Sequence, residues 1–295
     1  MITIFASPKN FEGVFNHIQK NALNSWRSLG NNIQIIILGD SQGSKENAKM
    51  INALYIPDVK SSKSGVPYLS DMFLKAKKYS KYDILTFINA DIILPKNFLD
   101  IVSKVYSQYS NKFLLVGHRW DLEVNKHLDY RNNNEIAGFW EHAKINSKKH
   151  PESGIDYFVF KKSMFKKVPD FVIGRPGYDN WLIWKARRQF VPLIDISNDI
   201  FALHQNHHFN FHNLSKDPKI FLESDGLKNK KLHGKRLLNL SDANYFTQQG
   251  IVYKHTSKDF FNRNLGRLPI IFYEFSFILI LFKKIYRLRN RILKN

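Results

Sequence analysis

The sequence contains no cysteine among its 295 residues. This absence excludes a scaffold held by disulfides, a thiol nucleophile, and a zinc or iron–sulfur site with cysteine ligands. The sequence also lacks the GxxxxGK[ST] spacing of a Walker loop, although the loop Lys60–Pro67 contains both lysine and glycine. Cysteine chemistry and phosphate binding of the Walker type are therefore both excluded.

Acidic residues are scarce: 25 Asp and Glu stand against 45 Lys and Arg, which gives a formal net charge of +20. Such an excess indicates an anionic partner, namely phosphate groups, nucleic acid or an acidic membrane surface. The charge is uneven, because Gly226 to Asn295 holds 15 of the basic residues and only 3 of the acidic ones. Much of the excess therefore lies in the last quarter of the chain.

Hydrophobic residues make up 43% of the chain, enough to bury a sizeable core. An intrinsically disordered chain is therefore excluded, and the length indicates one large domain, alone or with an appendage. The N-terminal MITIFASPKNF has no basic segment followed by an apolar run. We therefore expect no signal peptide.

Strand-like and helix-like segments alternate in the first half of the chain. The strand-like runs are Ile2–Ser7, Ile33–Leu38, Tyr55–Val59, Ile84–Ile88 and Phe113–Gly117, and between them lie the helix-like segments Asn10–Leu29, Lys45–Leu54, Tyr68–Tyr79 and Asn97–Tyr109. This alternation predicts βαβ units and a parallel sheet with helices beside it. Ligands of such sheets bind beyond the carboxyl ends of the strands, where Ser7, Asp40 and the Asn89–Ala90–Asp91 triplet lie.

The second half is less regular. Trp120–Pro151 is polar and is predicted to be a long loop or lid, whereas Tyr178–Phe190 is predicted to be an amphipathic helix that starts near Asp179. Beyond about residue 213 the pattern decays, which predicts a polar linker to about Arg267. These features divide the chain into a domain at 1–215, a linker or extension at 216–267, and a segment at 268–295.

The last segment combines an apolar run with a basic end. Leu268–Phe282 is apolar except for Glu274, and it is short of the roughly 20 residues that span a bilayer. Lysines and arginines follow it, with no acid among them: Lys283, Lys284, Arg287, Arg289, Arg291 and Lys294. Such a segment is either a core helix with a solvated basic end or an attachment to an anionic inner-leaflet surface, and we favour attachment.

Three polar features suit a phosphate-bearing ligand, and each has a structural alternative. Asp91, beyond a strand, either holds a divalent cation or caps the helix that begins near Asn97. Asp40 either accepts hydrogen bonds from a ribose or a base, or belongs to a turn. Lys63 and Gly65 either approach phosphate closely or form part of a solvated loop.

Further candidates lie in the second half. Asp179 is either the N-terminal cap of its helix or a general base that removes a proton from an acceptor hydroxyl, and Asp156 also lies beside aromatic residues. Tyr178 and Trp181 either stack on a sugar ring or belong to the core. The HQNHH cluster, with His204, either ligates a metal or is a surface cluster without a ligand.

These features together resemble the GT-A-type glycosyltransferases that use nucleotide-diphosphate sugars. The likeness covers about residues 1–212 and is carried by IQIIILGD, LTFINADIIL, GIDYFVFKK and GRPGYDNWLIWKARRQFVPLIDIS followed by ALHQNH. The second of these stretches is similar to the DxD-bearing strand of the family. Its first position here is Asn89, which offers a carbonyl oxygen without charge.

The resemblance implies an α/β fold with a mostly parallel sheet flanked by helices, a donor bound at the strand ends, and a Mn or Mg ion. It implies that Ala6, Ser7 and Asp40 contact the nucleoside, that Asp91 and His204 hold the metal, and that Asp179 is the base of an inverting reaction. We add Lys63, Gly65 and Asn89 to the donor side. The acceptor side is assigned to Asp156, Tyr178, Asn180 and Trp181.

We therefore predict a glycosyltransferase that transfers a sugar to a hydroxyl of a glycan or lipid-linked acceptor, in cell-surface polysaccharide synthesis. We expect it in the cytoplasm, attached to the inner membrane face, with no nucleic-acid partner. The alternatives are a basic nucleic-acid-binding protein, a nucleotidyltransferase, and a catalytically inactive GT-A-like binding protein. The Phe5–Lys9 stretch lacks the Gly-rich basic signature that a nucleotidyltransferase needs after its first strand.

Overall fold

The strands form two sheets in the computed structural model, which describes residues 1–109, 111–207, 224–282 and 285. The strands are β1 (Ile2–Ala6), β2 (Ile33–Leu38), β3 (Leu54–Ile56), β4 (Ile84–Ile88), β5 (Ile92–Ile93), β6 (Leu114–Val116), β7 (Arg119–Leu122), β8 (Lys148–Lys149), β9 (Tyr157–Lys161), β10 (Leu193–Asp195), β11 (Ala202–Gln205), β12 (Tyr245–Gln248) and β13 (Ile251–Lys254). Apolar runs such as IQIIIL form the central strands, because strands that are covered on both faces must be hydrophobic throughout.

The large sheet has nine strands in the order β13-β12-β10-β6-β9-β4-β1-β2-β3. Strands β3, β2, β1 and β4 are parallel to one another, and so are β6, β10 and β12. Strand β9 runs antiparallel between β4 and β6, and β13 is antiparallel at the edge. The prediction of an α/β fold with a mostly parallel sheet is confirmed.

Helices cover both faces of this sheet. The described helices are α1 (Gly13–Arg27), α2 (Ser44–Met50), α3 (Leu69–Tyr79), α4 (Phe98–Gln108), α5 (Asn133–Asn146), α6 (Tyr178–Arg188), α7 (Ser224–His233) and α8 (Lys258–Ile271), of which α5 packs on the second sheet instead. Alternate strand residues point to opposite faces. Ile36 of β2 therefore belongs to the core cluster that contains residues of α3 and α6, whereas Ile35 belongs to the cluster that contains residues of α1, α2 and α4.

The segment 120–151, predicted to be a loop or lid, contains regular structure instead. Strands β7 and β8 belong to a second sheet in the order β5-β11-β7-β8, and α5 packs Ile136, Phe139 and Ala143 onto that sheet. The strands are only four and two residues long, and Asn, His and Lys residues surround the few apolar positions of α5. The hydrophobic period is therefore too weak to show in the sequence.

The segment 216–267 is predicted to be a polar linker, but its described part contains regular secondary structure. Residues 216–223 lie outside the described part, but from Ser224 onward the chain forms α7, β12, β13 and most of α8. Strand β12 pairs in parallel with β10, and Leu238 and Leu240 are buried in the core. These strands carry few consecutive apolar residues because they lie at the edge of the sheet.

The chain after α8 bends sharply into a helical run at Tyr273–Phe282. No single helix in the described ranges is long and apolar enough to cross a bilayer, although α8 and Tyr273–Phe282 reach that length and composition together, with a bend of 89° between them. Most of the basic end predicted to bind membranes lies outside the described residues, since only Ile285 is described beyond Phe282.

Candidate functional site

A cavity of 970 Å³ lies where the two sheets meet, at the carboxyl ends of β1 and β4. The loop after β1 contributes Ser7, Pro8 and Lys9 to its wall, and the loop after β4 contributes Asn89, Ala90 and Asp91. The lining also includes residues of α1, β7, β11, the start of α6 and several loops. The cavity therefore lies at the edge of the sheet where ligands of α/β folds bind.

The small sheet carries His204 to the edge of this cavity. Strand β11 lies between β5 and β7, and its register places His204 opposite Ile92 on one side and Asp121 on the other. Ile92 directly follows Asp91, whose backbone carbonyl accepts hydrogen bonds from the backbone and side chain of Gln205. The pairing of β11 with β5 therefore brings together two residues that lie far apart in the sequence.

Asp91, His204 and His207 form a candidate metal centre at the cavity wall. Their ligand atoms all lie within 4.8 Å of one another. The Oδ2 atom of Asp91 is 3.6 Å from Nε2 of His204 and 3.3 Å from Nε2 of His207. Its other oxygen, Oδ1, is buried and has no hydrogen-bond partner among the described residues.

The charges of this cluster compensate one another. Burial by itself raises the pKa of Asp91, but the His204 and His207 imidazoles outweigh it and hold that pKa well below its usual range. Burial lowers the pKa of His204, but Asp91 and Asp121 on either side outweigh it and raise the pKa to about 9. The carboxylate is thus ionised at neutral pH.

A network of charged side chains continues from His204 along the cavity wall. Asp121 Oδ1 lies 3.1 Å from His204 Nδ1, and its Oδ2 lies 2.6 Å from His150 Nδ1. Arg119 is 3.1 Å from Asp121 and donates to Asp156 at 2.6 Å. Asn89 donates its side-chain amide to the other oxygen of Asp156. The network therefore joins the candidate metal centre to the opposite side of the cavity.

The opposite side is formed by Asp156, which directly precedes β9, and by the first turn of α6. Gly177 precedes α6 with φ +99°, and a Cβ atom there would approach the His233 ring to 2.5 Å, so this turn requires glycine. Tyr178 lines the cavity, whereas Asp179, the next residue, is not among the lining residues. Burial, and to a smaller extent the nearby Asp156, raises the pKa of Asp179 to about 7 despite backbone N–H groups that favour its charged form.

The structure brings six of the predicted site residues to the cavity besides His204: Ser7, Gly65, Asn89, Asp91, Asp156 and Tyr178. Asp40 and Lys63 are exposed, and Ala6 is fully buried within β1. None of these three lines the cavity.

Two of the residues assigned to the acceptor side have structural partners. Trp181 is only 3% exposed and packs against Phe171 in the core, because it lies on the inner face of α6. Asn180 exchanges hydrogen bonds with the backbone of Leu238. The helix period of α6 therefore turns these positions towards the core and the chain that follows α7.

Sequence reasoning missed much of the cavity wall, including Lys9, Arg119, Asp121, His150 and Arg175. Arg119 and Asp121 are two residues apart, which places both side chains on one face of a strand. That spacing indicates a shared site only once β7 is recognised as a strand. The sequence does not show this strand, because the polar residues around it predict a loop. Lys9 follows Pro8 in the loop after β1, two positions beyond the predicted site residue Ser7.

Comparisons with known proteins leave the family open. No protein-family model matches the chain, and no curated protein matches it in sequence. The solved structures that match include TarS 1-349 of S. aureus in complex with UDP-GlcNAc, which is 11% identical with a TM-score of 0.47, over 70% of this chain and 59% of that one. This chain therefore spans less than two thirds of the TarS fragment.

Two further solved structures that match are a mannosyltransferase and a synthase. The mannosyltransferase PcManGT from Pyrobaculum calidifontis, in complex with GDP-Man and Mn2+, is 11% identical with a TM-score of 0.45, over 72% of this chain and 59% of that one. Glucosyl-3-phosphoglycerate synthase from Mycobacterium tuberculosis is 12% identical with a TM-score of 0.45, over 86% of both chains. At TM-scores below 0.5 such matches do not establish a shared activity, which has to be argued from the site.

Proposed function

We propose that the protein is a metal-dependent glycosyltransferase that transfers a sugar from a nucleotide-diphosphate donor to a hydroxyl group. One observation carries this proposal: Asp91, His204 and His207 converge at the wall of a 970 Å³ cavity whose lining also includes Lys9 and Arg175. A cation site beside basic side chains suits a diphosphate, since both neutralise its charge. The cavity volume suits a nucleotide with an attached sugar.

The donor atoms fit a divalent transition ion. One carboxylate and two imidazoles form a mixed set, which suits Mn better than Mg because Mg prefers oxygen ligands and keeps several waters. The buried Oδ1 of Asp91, which has no hydrogen-bond partner in the described ranges, is consistent with such a ligand. A bound ion would neutralise the diphosphate and make it a better leaving group.

Two basic residues are proposed to bind the phosphate oxygens. Lys9 and Arg175 both line the cavity, and each is close enough to affect the other electrostatically. Burial lowers the pKa of Lys9, Asp91 opposes that change, and Arg175 adds to it. A phosphate group placed between these two cations would relieve their mutual repulsion, so a bound diphosphate is stabilised there.

On the acceptor side we propose that Asp179, which directly follows the lining residue Tyr178, accepts the proton of the attacking hydroxyl through a bridging water. A pKa of about 7 suits a general base at neutral pH, since about half of such groups are ionised and the ionised form is still basic. Asp156 lines the cavity but is held by Arg119 and Asn89, which suits binding of the acceptor better than proton transfer. Attack from this side gives inversion at the anomeric carbon.

The acceptor is proposed to be a glycan or a lipid-linked molecule, and the pathway to be cell-surface polysaccharide synthesis. A catalytically inactive binding protein is the principal rival, because Asn89 stands at the first DxD-like position and donates its amide to Asp156. A nucleic-acid-binding protein is a further rival, motivated by the net charge of +20.

A thermal-shift experiment tests the proposal. We expect UDP or GDP at about 100 times its Kd to raise the Tm by roughly 5 °C with Mn²⁺ present, and much less with a chelator. Asp91→Asn and His204→Asn should lose the metal-dependent shift, whereas Asp129→Asn, at a half-exposed position outside the cavity, should keep it. Equal shifts with and without metal, or tight binding of DNA at moderate salt, would contradict the proposal.

Transfer or hydrolysis of nucleotide sugars separates the enzyme from the inactive rival. We expect release of nucleoside diphosphate from at least one of a panel of UDP-sugars and GDP-sugars when Mn²⁺ is present. Nucleotide binding without any such release would favour the inactive binding protein.

A further inference from the structure

The helical run Tyr273–Phe282 exposes an unusual amount of apolar surface. Phe277 is 81% exposed and Ile278 is 64% exposed, and the other large apolar side chains that are at least two-fifths exposed are Tyr273, Phe275, Ile280, Leu281 and Phe282. A water-soluble surface rarely exposes so many neighbouring aromatic and aliphatic residues. This run therefore needs an apolar environment that the described part of the chain does not supply.

The exposed residues are spread widely around the helix. At 100° per residue, positions 277, 278, 280, 281 and 282 cover more than half of the circumference, and only Ser276 and Leu279 are half-buried. A helix that packs on one protein partner needs only a narrow apolar stripe, whereas apolar residues on most sides are typical of a lipid environment.

The base of this run is fixed to the folded domain. Trp184 of α6 donates its indole N–H to the carbonyl of Ile270 at 2.9 Å, and Arg188 lies 4.9 Å from the Phe272 ring. Phe190, which is 79% exposed, packs 5.7 Å from the same ring. The apolar surface thus continues onto the domain and has a defined orientation relative to α6.

The charge beside this surface indicates the partner. Six lysines and arginines and no acidic residue follow Phe282 in the sequence, and Glu274 lies 3.5 Å from Arg188. Two copies of the chain joined through this surface would bring two strongly basic segments together, which is unfavourable. An anionic lipid headgroup layer, by contrast, attracts each of these cations.

We propose that Tyr273–Phe282 docks this protein onto the surface of an anionic lipid bilayer, to which the positive charge of the sequence after Phe282 attracts it. Aromatic and aliphatic side chains enter the boundary between headgroups and acyl chains, and the cations bind the headgroups. Tyr178 of the cavity and Arg188 lie at the two ends of α6, so the docking surface and the cavity are about 15 Å apart along that helix. This inference does not depend on the sugar-transfer reaction.

Vesicle flotation of the full chain tests this proposal. We expect the protein to float with vesicles that contain phosphatidylglycerol, to bind phosphatidylcholine vesicles at least about tenfold more weakly, and to lose most binding at high salt. Phe277→Ser combined with Ile278→Ser should weaken binding about tenfold or more, because two exposed apolar side chains no longer insert. The Tm should not change, since both side chains are exposed.

A matched variant controls for loss of exposed apolar side chains elsewhere. Leu74 and Ile145 are 64% and 82% exposed on α3 and α5, and Leu74→Ser with Ile145→Ser should float like the wild type. Equal flotation of the Phe277 and Ile278 variant and the wild type would overturn the proposal. It would also be overturned by equal binding to neutral vesicles, or by a dimer that dissociates in this variant while neither protein floats.

Discussion

The two sides of the cavity hold aspartates in opposite electrostatic settings. On the metal side, Asp91 lies within 3.6 Å of two imidazole nitrogens, and its pKa is held well below the usual range. On the acceptor side, burial and the nearby Asp156 raise the pKa of Asp179 to about 7. The same side chain is thus permanently ionised in one place and titrates near neutral pH in the other.

The pKa difference between Asp91 and Asp179 follows from their charged neighbours more than from the extent of their burial. Burial raises the pKa of both carboxyl groups, but only Asp91 has cationic partners that outweigh it. Because a permanent charge suits a metal ligand and an exchangeable proton suits a general base, the two settings divide the proposed reaction between the two sides. Each substitution predicted below changes one side of the cavity and leaves the other side unchanged.

The largest effect is expected from Asp179→Asn, which removes the proposed base. General-base catalysis contributes roughly 10²–10⁴-fold, so we expect kcat to fall by about 10³-fold with little change in the metal affinity. The measurement is steady-state transfer from the nucleotide sugar. Turnover at the wild-type rate would remove Asp179 from the mechanism, and a loss in Asp156→Asn alone would assign the proton transfer to Asp156.

The same variant should become more stable, which distinguishes a lost base from a damaged fold. A carboxyl group whose pKa is raised in the folded state costs stability as the pH rises from about 4 to about 7, and the full cost remains above that range. Asn carries no charge, so the variant should gain about 4 kcal/mol at pH 8 and little at pH 4. Denaturant unfolding at the two pH values measures this difference.

A smaller effect is expected from Asp121→Asn on the metal side. Asp121 lies 3.1 Å from Nδ1 of His204, so we expect it to orient the ring with Nε2 towards Asp91. Loss of a carboxylate that contacts a metal-ligating histidine typically weakens metal binding about 10–100-fold. Titration of free Mn²⁺ by electron paramagnetic resonance measures the affinity, with Asp129→Asn as the surface control. Unchanged Mn²⁺ affinity would show that Asp121 does not position His204.

The sequence predicts the metal side better than the wall that joins the two sides. Asp91 directly follows a strongly apolar strand, and His204 lies in a dense histidine cluster, so both are visible as local patterns. Arg119 and Asp121 belong to a strand of four mixed residues, which exists because it pairs with β11 much later in the chain. Pairing over that distance leaves no local periodicity.

Local sequence patterns also fail to predict the edge strands and the acceptor side of the cavity. Strands β12 and β13 join the large sheet by pairing with β10 and with each other, and their short, half-exposed sequences are typical of a linker as well as of an edge. Trp181 has the residue type of a sugar-stacking platform, but the helix period of α6 turns it into the core. Residue type suggests chemistry, whereas only packing decides which face of a helix meets the cavity.

The smallest effect is expected from a change of pH. The pH dependence of kcat/KM tests the contrast between the two sides of the cavity without any substitution. Since Asp179 must be ionised to accept a proton and its pKa is about 7, kcat/KM should be constant above pH 8 and fall about tenfold at pH 6. Asp121→Asn alters only the metal side, so with saturating Mn²⁺ it should keep the same inflection. An inflection near pH 4 would mean that the base has an ordinary carboxyl pKa, and the contrast between the two sides would then not extend to the reaction.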